Sequence, residues 1–194
     1  MLFLTLSQGR RTLPTVASRC QRVRLRPLPF SQIAEALEKQ WQVLPERADL
    51  LARLSQGRFG WAMNMLQDDT AWNLRSQRLD DLQSLRKQGR VERMRYAEQM
   101  SRLDPSVVEG VLNVWSSWWR DLALMQNGCP RHVANVDQMA ALRAEATRYD
   151  TAQAWTFLET LAGAGLHLQQ NVNSRLVLEM LLLRMPQPLP ETSH

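Results

Sequence analysis

The stretch PSVVEGVLNVWSSWWRDLALMQ, residues 105–126, decides the fold of this chain. The Asp-Pro pair at 104–105 is typical of a helix start, and the Asn-Gly pair at 127–128 is typical of a helix end. Between these signals the apolar residues recur with the period of an α-helix. The sequence therefore predicts one long helix over the whole stretch.

One face of this helix is predicted to be apolar. Four large side chains recur there at helical spacing: Trp115, Trp118, Trp119 and Leu122. Such a stripe packs either inside the chain or against a helix of a partner, and the spacing is compatible with both. The adjacent Arg120 and Asp121 predict an ion pair on the helix surface rather than a catalytic acid.

The rest of the chain also follows helical patterns, with one exception near its start. Helices are predicted over 32–40, 46–55, 58–67, 71–87, 90–102, 136–148, 151–170 and 174–185. Ser31 is expected to cap the first of these helices. The last is apolar all round, so it should be largely buried. Upstream, residues 2–6 and 21–25 predict short strands on either side of a helix at 12–20, so we expect a mainly α fold that begins with strand-helix-strand.

Breaks in these patterns divide the chain into four parts. A Pro-Leu-Pro segment ends the first part because neither proline can donate a ladder hydrogen bond, and three later prolines end the helical pattern. The parts are a first segment over 1–28, a three-helix bundle over 29–68, a larger helical domain over 69–186 and a loose tail over 187–194.

The net charge of +5 is concentrated at one end of the chain. Residues 1–34 contain six arginines and no acid, so they contribute +6, and the other 160 residues sum to −1. This distribution argues against a basic face that runs along the whole chain. The same composition is compatible with a mitochondrial transit peptide, which is one alternative for this segment.

Several classes of function are excluded by missing motifs. There is no G-x-x-x-x-G-K-[ST] loop to hold nucleotide phosphates, no nucleophile–histidine pair and no paired carboxylates. Cys20 and Cys129 are far apart and lack the companions of a zinc site or a disulfide framework. No apolar run approaches the 18 or so residues of a membrane span. We therefore expect no bound cofactor, no intrinsic ATPase activity, no membrane insertion and a reducing, cytoplasmic location.

Residues 13–21, LPTVASRCQ, resemble the L-P-T-x-x-S-R-C-Q signature of bacterial clamp-loader AAA+ subunits. In that family the Ser-Arg-Cys arginine reaches the nucleotide of the neighbouring subunit. The resemblance implies that Arg19, flanked by Ser18 and Cys20, is a trans-acting arginine finger. A guanidinium in this role stabilises charge on the transferred phosphoryl group and is worth about 10³–10⁵ in rate.

Two further strings are similar to the C-terminal collar of DNA polymerase III delta-prime subunits. WWRDL at 118–122 is similar to W-x-R-D-L, and NVNSRLVLEMLLL at 171–183 is similar to N-x-N-x-x-L-x-L-E-x-L-L-L. The collar helices of this family build a ring of subunits. The resemblance implies that the subunit interfaces are formed by Trp115, Trp118, Trp119, Asn171, Asn173, Leu176 and Glu179.

One position departs from the family's motor subunits. These ATPases carry a second sensing arginine in a G-x-x-R-x-A motif, and here the arginine position of that motif is Gly60. Arg58 lies two positions earlier and would point to a different face of the helix. The departure favours a non-hydrolysing delta-prime subunit over a gamma/tau-type motor subunit.

The resemblance as a whole implies a place in the bacterial clamp loader. Residues 1–28 would be the end of an AAA+ core whose N-terminal part lies outside this sequence, 29–68 its lid and 69–186 its collar. The implied partners are the gamma/tau motor subunits and the delta subunit, with ATP and Mg²⁺ bound by the neighbours. The clamp loader is part of the DNA polymerase III holoenzyme, which is a DNA-directed DNA polymerase and nucleotidyltransferase. In this complex the clamp-loader subunits place the sliding clamp on primed DNA. The alternatives are a truncated gamma/tau-type motor and a mitochondrially targeted helical scaffold protein.

Overall fold

The structure is a computed structural model that describes residues 13–21, 23–170 and 172–188. Over these ranges the chain is mainly helical, as predicted, and has no β-strand. None of its helices is both long and apolar enough to cross a membrane. The helices are α1 (Pro14–Ala17), α2 (Phe30–Trp41), α3 (Pro45–Leu54), α4 (Phe59–Gln67), α5 (Asp69–Lys87), α6 (Arg90–Met100), α7 (Pro105–Gln126), α8 (Met139–Ala146), α9 (Thr151–Gln169) and α10 (Ser174–Leu183), and short 3₁₀ turns at Pro130–His132 and Val136–Gln138 precede α8.

The predicted strand-helix-strand does not appear in the described residues. The predicted strand at 2–6 lies outside them, and the predicted helix at 12–20 is the single turn α1. Gln21 and residues 23–25 have no regular secondary structure, and Val23 and Leu25 are exposed. A strand needs a neighbour to take its backbone hydrogen bonds, and the described part of the chain offers none.

The long central helix is confirmed, and side-chain caps explain several helix starts. The Asp104 carboxylate accepts the backbone N–H of Ser106, so α7 begins at the predicted Asp-Pro pair. Asp68 caps α5 and Asp150 caps α9 in the same manner. The predicted Ser31 cap is wrong, because α2 begins one residue before it, at Phe30.

Two apolar cores organise these helices. The smaller one lies between α2, α3 and α4, where Ile33, Leu37 and Leu51 are completely buried. The larger one is formed by α5 to α10, and each of these helices contributes buried residues to it. Helix α5 belongs to both cores, since Trp72 packs against the small bundle and Leu79 against the large domain.

Candidate functional site

The tryptophan stripe predicted on α7 lies inside the large domain. Trp115 is 1% exposed, and Trp118 and Trp119 are 0% exposed. The Trp119 ring packs edge-on against Trp118, Tyr149 and Phe157, with ring centroids 5.0–5.3 Å apart. Burial in this cluster also raises the pKa of Tyr149. The stripe therefore packs inside the chain and not against a partner helix, so these side chains cannot contact a partner while the core is intact.

A surface that could bind a partner lies between α9 and α10. A groove of about 520 Å³ separates the two helices. On α10, Leu176 and Met180 line the groove and are 56% and 46% exposed. Leu183, one turn later, is also half exposed. The prediction that α10 is largely buried is therefore wrong for this face, although Leu178 and Leu182 on the opposite face are buried.

The α9 side of the groove includes two small residues. Gly163 and Ala164 line it, and a Cβ atom built at Gly163 would meet no atom within 4 Å. A glycine in the middle of a helix, with no side chain in the way, lets another backbone approach closely. Polar groups are supplied by Thr156, Glu159, Thr160, His167 and Arg184. The groove thus combines two small residues, large apolar side chains and polar groups, a mixture typical of protein interfaces.

The other predicted interface residues have partners within the chain. The Asn173 side-chain oxygen accepts the backbone N–H of Leu176 at 3.2 Å and caps α10. Glu179 accepts a hydrogen bond from Arg175 at 2.7 Å, which raises the pKa of that guanidinium. Asn171 lies outside the described residues. Leu176 is the predicted residue that the structure brings into the groove; Met180 and Gly163 were not singled out from the sequence.

Arg19 lies just after the single turn α1. Its backbone N–H donates to the carbonyl of Val16, and the neighbouring Ser18 hydroxyl donates to the carbonyl of Thr15 at 3.1 Å. The side chains of Ser18, Arg19 and Cys20 are exposed. The guanidinium is therefore accessible to another molecule.

The segment around Gly60, which resembles the sensing-arginine motif of the motor subunits, lies at the start of α4. Arg58 is the residue before the helix, and its Nε donates to the carbonyl of Ser55 at 3.1 Å. A Cβ atom at Gly60 would meet nothing within 4 Å. Packing around the Cβ position therefore does not require glycine here.

Sequence reasoning missed a polar network around the loop that follows α7 in the large domain. The predicted Arg120–Asp121 ion pair is present. Its predicted place on the helix surface is wrong for the Asp121 carboxylate, which is 0% exposed. It accepts the backbone N–H groups of Ala134 and Asn135 at 2.9 and 2.7 Å, and Arg120 also donates to it at 2.9 Å. No spacing rule signals these bonds, since the loop lies more than a dozen residues along the chain.

This network also receives an arginine from α5. The Arg75 guanidinium donates to Asp137 at 2.8 Å and to the side-chain oxygen of Asn135 at 2.7 Å. The residues from Val133 to Asp137 are therefore held by both α5 and α7. Among the residues that the structure covers, no group of histidine, cysteine and acidic side chains could hold a metal ion.

Comparison with known proteins gives one family. Residues 69–187 match the family described as DNA polymerase III, delta subunit, C terminal, and this range is more than half of the chain. It contains the large domain and the whole α9–α10 groove. No curated protein matches the chain.

Proposed function

The chain belongs to the family defined by the C-terminal domain of the DNA polymerase III delta subunit, and we propose on this premise that it is a non-hydrolysing member of the clamp loader. In this role it would help to open the sliding clamp and place it on primed DNA. The work would take place in the bacterial cytoplasm, beside the gamma/tau motor subunits and the other clamp-loader subunits. The observation that carries the proposal is the half-exposed apolar groove on the domain that matches the family.

The groove is suited to hold the protein in the complex. Leu176, Met180 and Leu183 lie at helical spacing on α10, and all three side chains are about half exposed. Covering such a face removes apolar surface from water, which stabilises association by about 25 cal/mol per Å² before the costs of binding. We propose that a helix of a neighbouring subunit covers it.

Among the subunits of the clamp loader, we propose that this chain is of the delta-prime type. This assignment is supported by the LPTVASRCQ string and by Gly60, which stands where the motor subunits carry a sensing arginine. The exposed position of Arg19 is compatible with a finger that reaches a neighbour's nucleotide. ATP and Mg²⁺ would be bound by that neighbour, since this sequence has no phosphate-binding loop.

The alternatives make different predictions. A truncated gamma/tau-type motor would come from a gene that encodes an intact phosphate-binding lysine upstream, whereas a delta-prime gene would encode a degraded loop. A mitochondrially targeted scaffold would lose its first residues on import, so the intact mass of the native protein would fall short of the full sequence.

Assembly is tested with a pair of surface variants. Leu176→Glu places a charge in the groove, and Val91→Glu places the same charge on α6, where the side chain is 66% exposed. Each variant is mixed with the motor and delta subunits of the same organism and co-purified through a tag on the motor. We expect Leu176→Glu to be lost from the complex and Val91→Glu to be retained. Retention of both would contradict the groove as the docking surface.

A further inference from the structure

Arg53 on α3 contacts three separate parts of the molecule. Its Nη1 donates to the carbonyl oxygens of Arg131 and Val133, at 2.9 and 3.3 Å. Its Nε donates to Asp49 at 2.8 Å, and its guanidinium lies over the ring of Phe30, 4.9 Å from the centroid. One side chain of the small bundle thus contacts its own helix, the first residue of α2 in the same bundle, and the loop after α7.

The loop that Arg53 contacts is part of the large domain. Val133 is completely buried and Ala134 nearly so. The Asp121 carboxylate holds the backbone of Ala134 and Asn135, and Arg75 holds Asn135 from the other side. A hydrogen bond to this loop is therefore a hydrogen bond to the body of the large domain.

The covalent connection between the two bodies is short. Asp68 is the residue that separates α4 from α5, and Trp72 on the first turn of α5 packs against the small bundle. A single connection of this kind permits rotation about the start of α5. A second attachment, at a different place on the small bundle, removes that freedom, and Arg53 supplies it.

The segment that enters the small bundle is anchored beside the contact between Arg53 and the loop after α7. The backbone N–H of Leu28 donates to the carbonyl of Gly57 at 3.0 Å. Gly57 has a positive φ of 84°, and a Cβ atom there would collide with Pro27, so only glycine suits this close approach. Leu28, Phe30 and Arg53 line a common cavity with the loop residues Arg131 and Val133.

From these contacts we infer that Arg53 is a positioning residue that fixes the orientation of the small bundle, and of the segment leading into it, relative to the large domain. Lysine would not substitute for it. A guanidinium is a planar fork that stacks on an aromatic ring while donating in its own plane, whereas an ammonium group is a compact point charge. The inference depends on these contacts and not on the family assignment.

The test measures the distance between the two bodies in the full chain. Spin labels are attached to Gln40→Cys on α2 and Gln153→Cys on α9, two exposed positions, with Cys20→Ser and Cys129→Ser removing the native thiols. We expect one narrow distance distribution by pulsed electron paramagnetic resonance. Arg53→Ala should replace it with a broad distribution, and Arg53→Lys should not restore the narrow one.

Arg47→Ala is the matched control, since it removes the same charge from an exposed position on the same helix. It should leave the distribution narrow. An unchanged distribution in Arg53→Ala, or an equally broad one in Arg47→Ala, would overturn the inference. If Arg53→Ala loses its helical circular dichroism signal, Arg53→Gln replaces it, because glutamine keeps more of the side chain's packing. A broad distance distribution in Arg53→Gln would then support the inference, and an unchanged one would overturn it. Since no other protein is present, a negative result here leaves the proposed function untouched.

Discussion

The Nη1 atom of Arg53 lies 2.9 Å from the carbonyl oxygen of Arg131, a residue 78 positions later in the chain. This bond joins a three-helix bundle to a domain with its own core. The same domain presents the α9–α10 groove on its surface. A partner bound in that groove would therefore contact the large domain, and the Arg53–Arg131 bond sets the orientation of that domain relative to the small bundle.

Replacing Asp121 with alanine should destabilise the large domain strongly. The change removes a buried carboxylate and leaves the N–H groups of Ala134 and Asn135 without acceptors. We expect the free energy of unfolding in urea to fall by about 3–5 kcal/mol, the usual cost of breaking a buried charged contact. Asp121→Asn, which keeps one acceptor oxygen, should lose less. A loss under about 1 kcal/mol in Asp121→Ala, typical of an exposed pair, would restore the surface interpretation.

Replacing Asp81 with asparagine should change how stability depends on pH. Burial raises the pKa of Asp81 above its ordinary value, although the Tyr96 hydroxyl donates to it at 3.1 Å. The folded state therefore holds this proton more tightly than the unfolded chain. The free energy of unfolding must then fall as the pH rises from the ordinary aspartate pKa through the raised one.

Asp81→Asn removes that titration and keeps a hydrogen-bond acceptor for Tyr96. We expect the variant to be more stable than the wild-type chain at pH 7 and equally stable near pH 3, where both side chains are neutral. Urea unfolding at the two pH values measures the difference. Asp80→Asn, at the exposed neighbouring position, should show the same pattern more weakly, because the Asp80 charge is a smaller cause of the raised pKa of Asp81. A wild-type chain that is more stable at pH 7 than Asp81→Asn would contradict the direction of the pKa shift.

Alanine substitutions at two glycines on α9 distinguish an effect on stability from an effect on binding. A Cβ atom would fit at Gly163 and at Gly165, but only Gly163 lines the groove. Alanine at either position should stabilise the free chain by about 0.5–1 kcal/mol, because it lowers the entropy lost in forming the helix. If a partner helix approaches the groove closely, Gly163→Ala should weaken binding to the other subunits while Gly165→Ala leaves it unchanged. Equal affinities in a titration would argue against a close approach there.

Replacing Arg19 with alanine tests the arginine finger. The variant should still assemble, but ATP turnover at the neighbouring site should fall by about 10³-fold or more, since the finger acts on the transition state. Arg24→Ala, a nearby exposed arginine, is the control and should keep the wild-type rate. Normal DNA-stimulated ATPase activity in Arg19→Ala would exclude the finger. Collapse of the complex would instead make Arg19 a structural residue.

Local signals in the sequence predicted the helices well. The Asp-Pro and Asn-Gly pairs predicted both ends of α7, which spans Pro105–Gln126. Such signals work because a cap and its helix lie within a few residues of each other. The helical spacing of Trp115, Trp118 and Trp119 predicted a common face, and the structure shows that face to be internal.

The missed features depend on contacts between distant residues. Asp121 and Arg53 bond to the backbone of the loop after α7, and backbone acceptors and donors leave no mark in the sequence. The exposed face of α10 was missed because its residues are as apolar as those of the buried face. The strand at 21–25 was predicted from alternation alone, but a strand also needs a partner for its backbone.

The most direct test of the proposed function is native mass spectrometry of the full chain mixed with the motor and delta subunits of the same organism. We predict a complex that contains one copy of this chain, and we predict that Leu176→Glu prevents its formation. A chain that stays free while the other subunits assemble with one another would contradict the proposal.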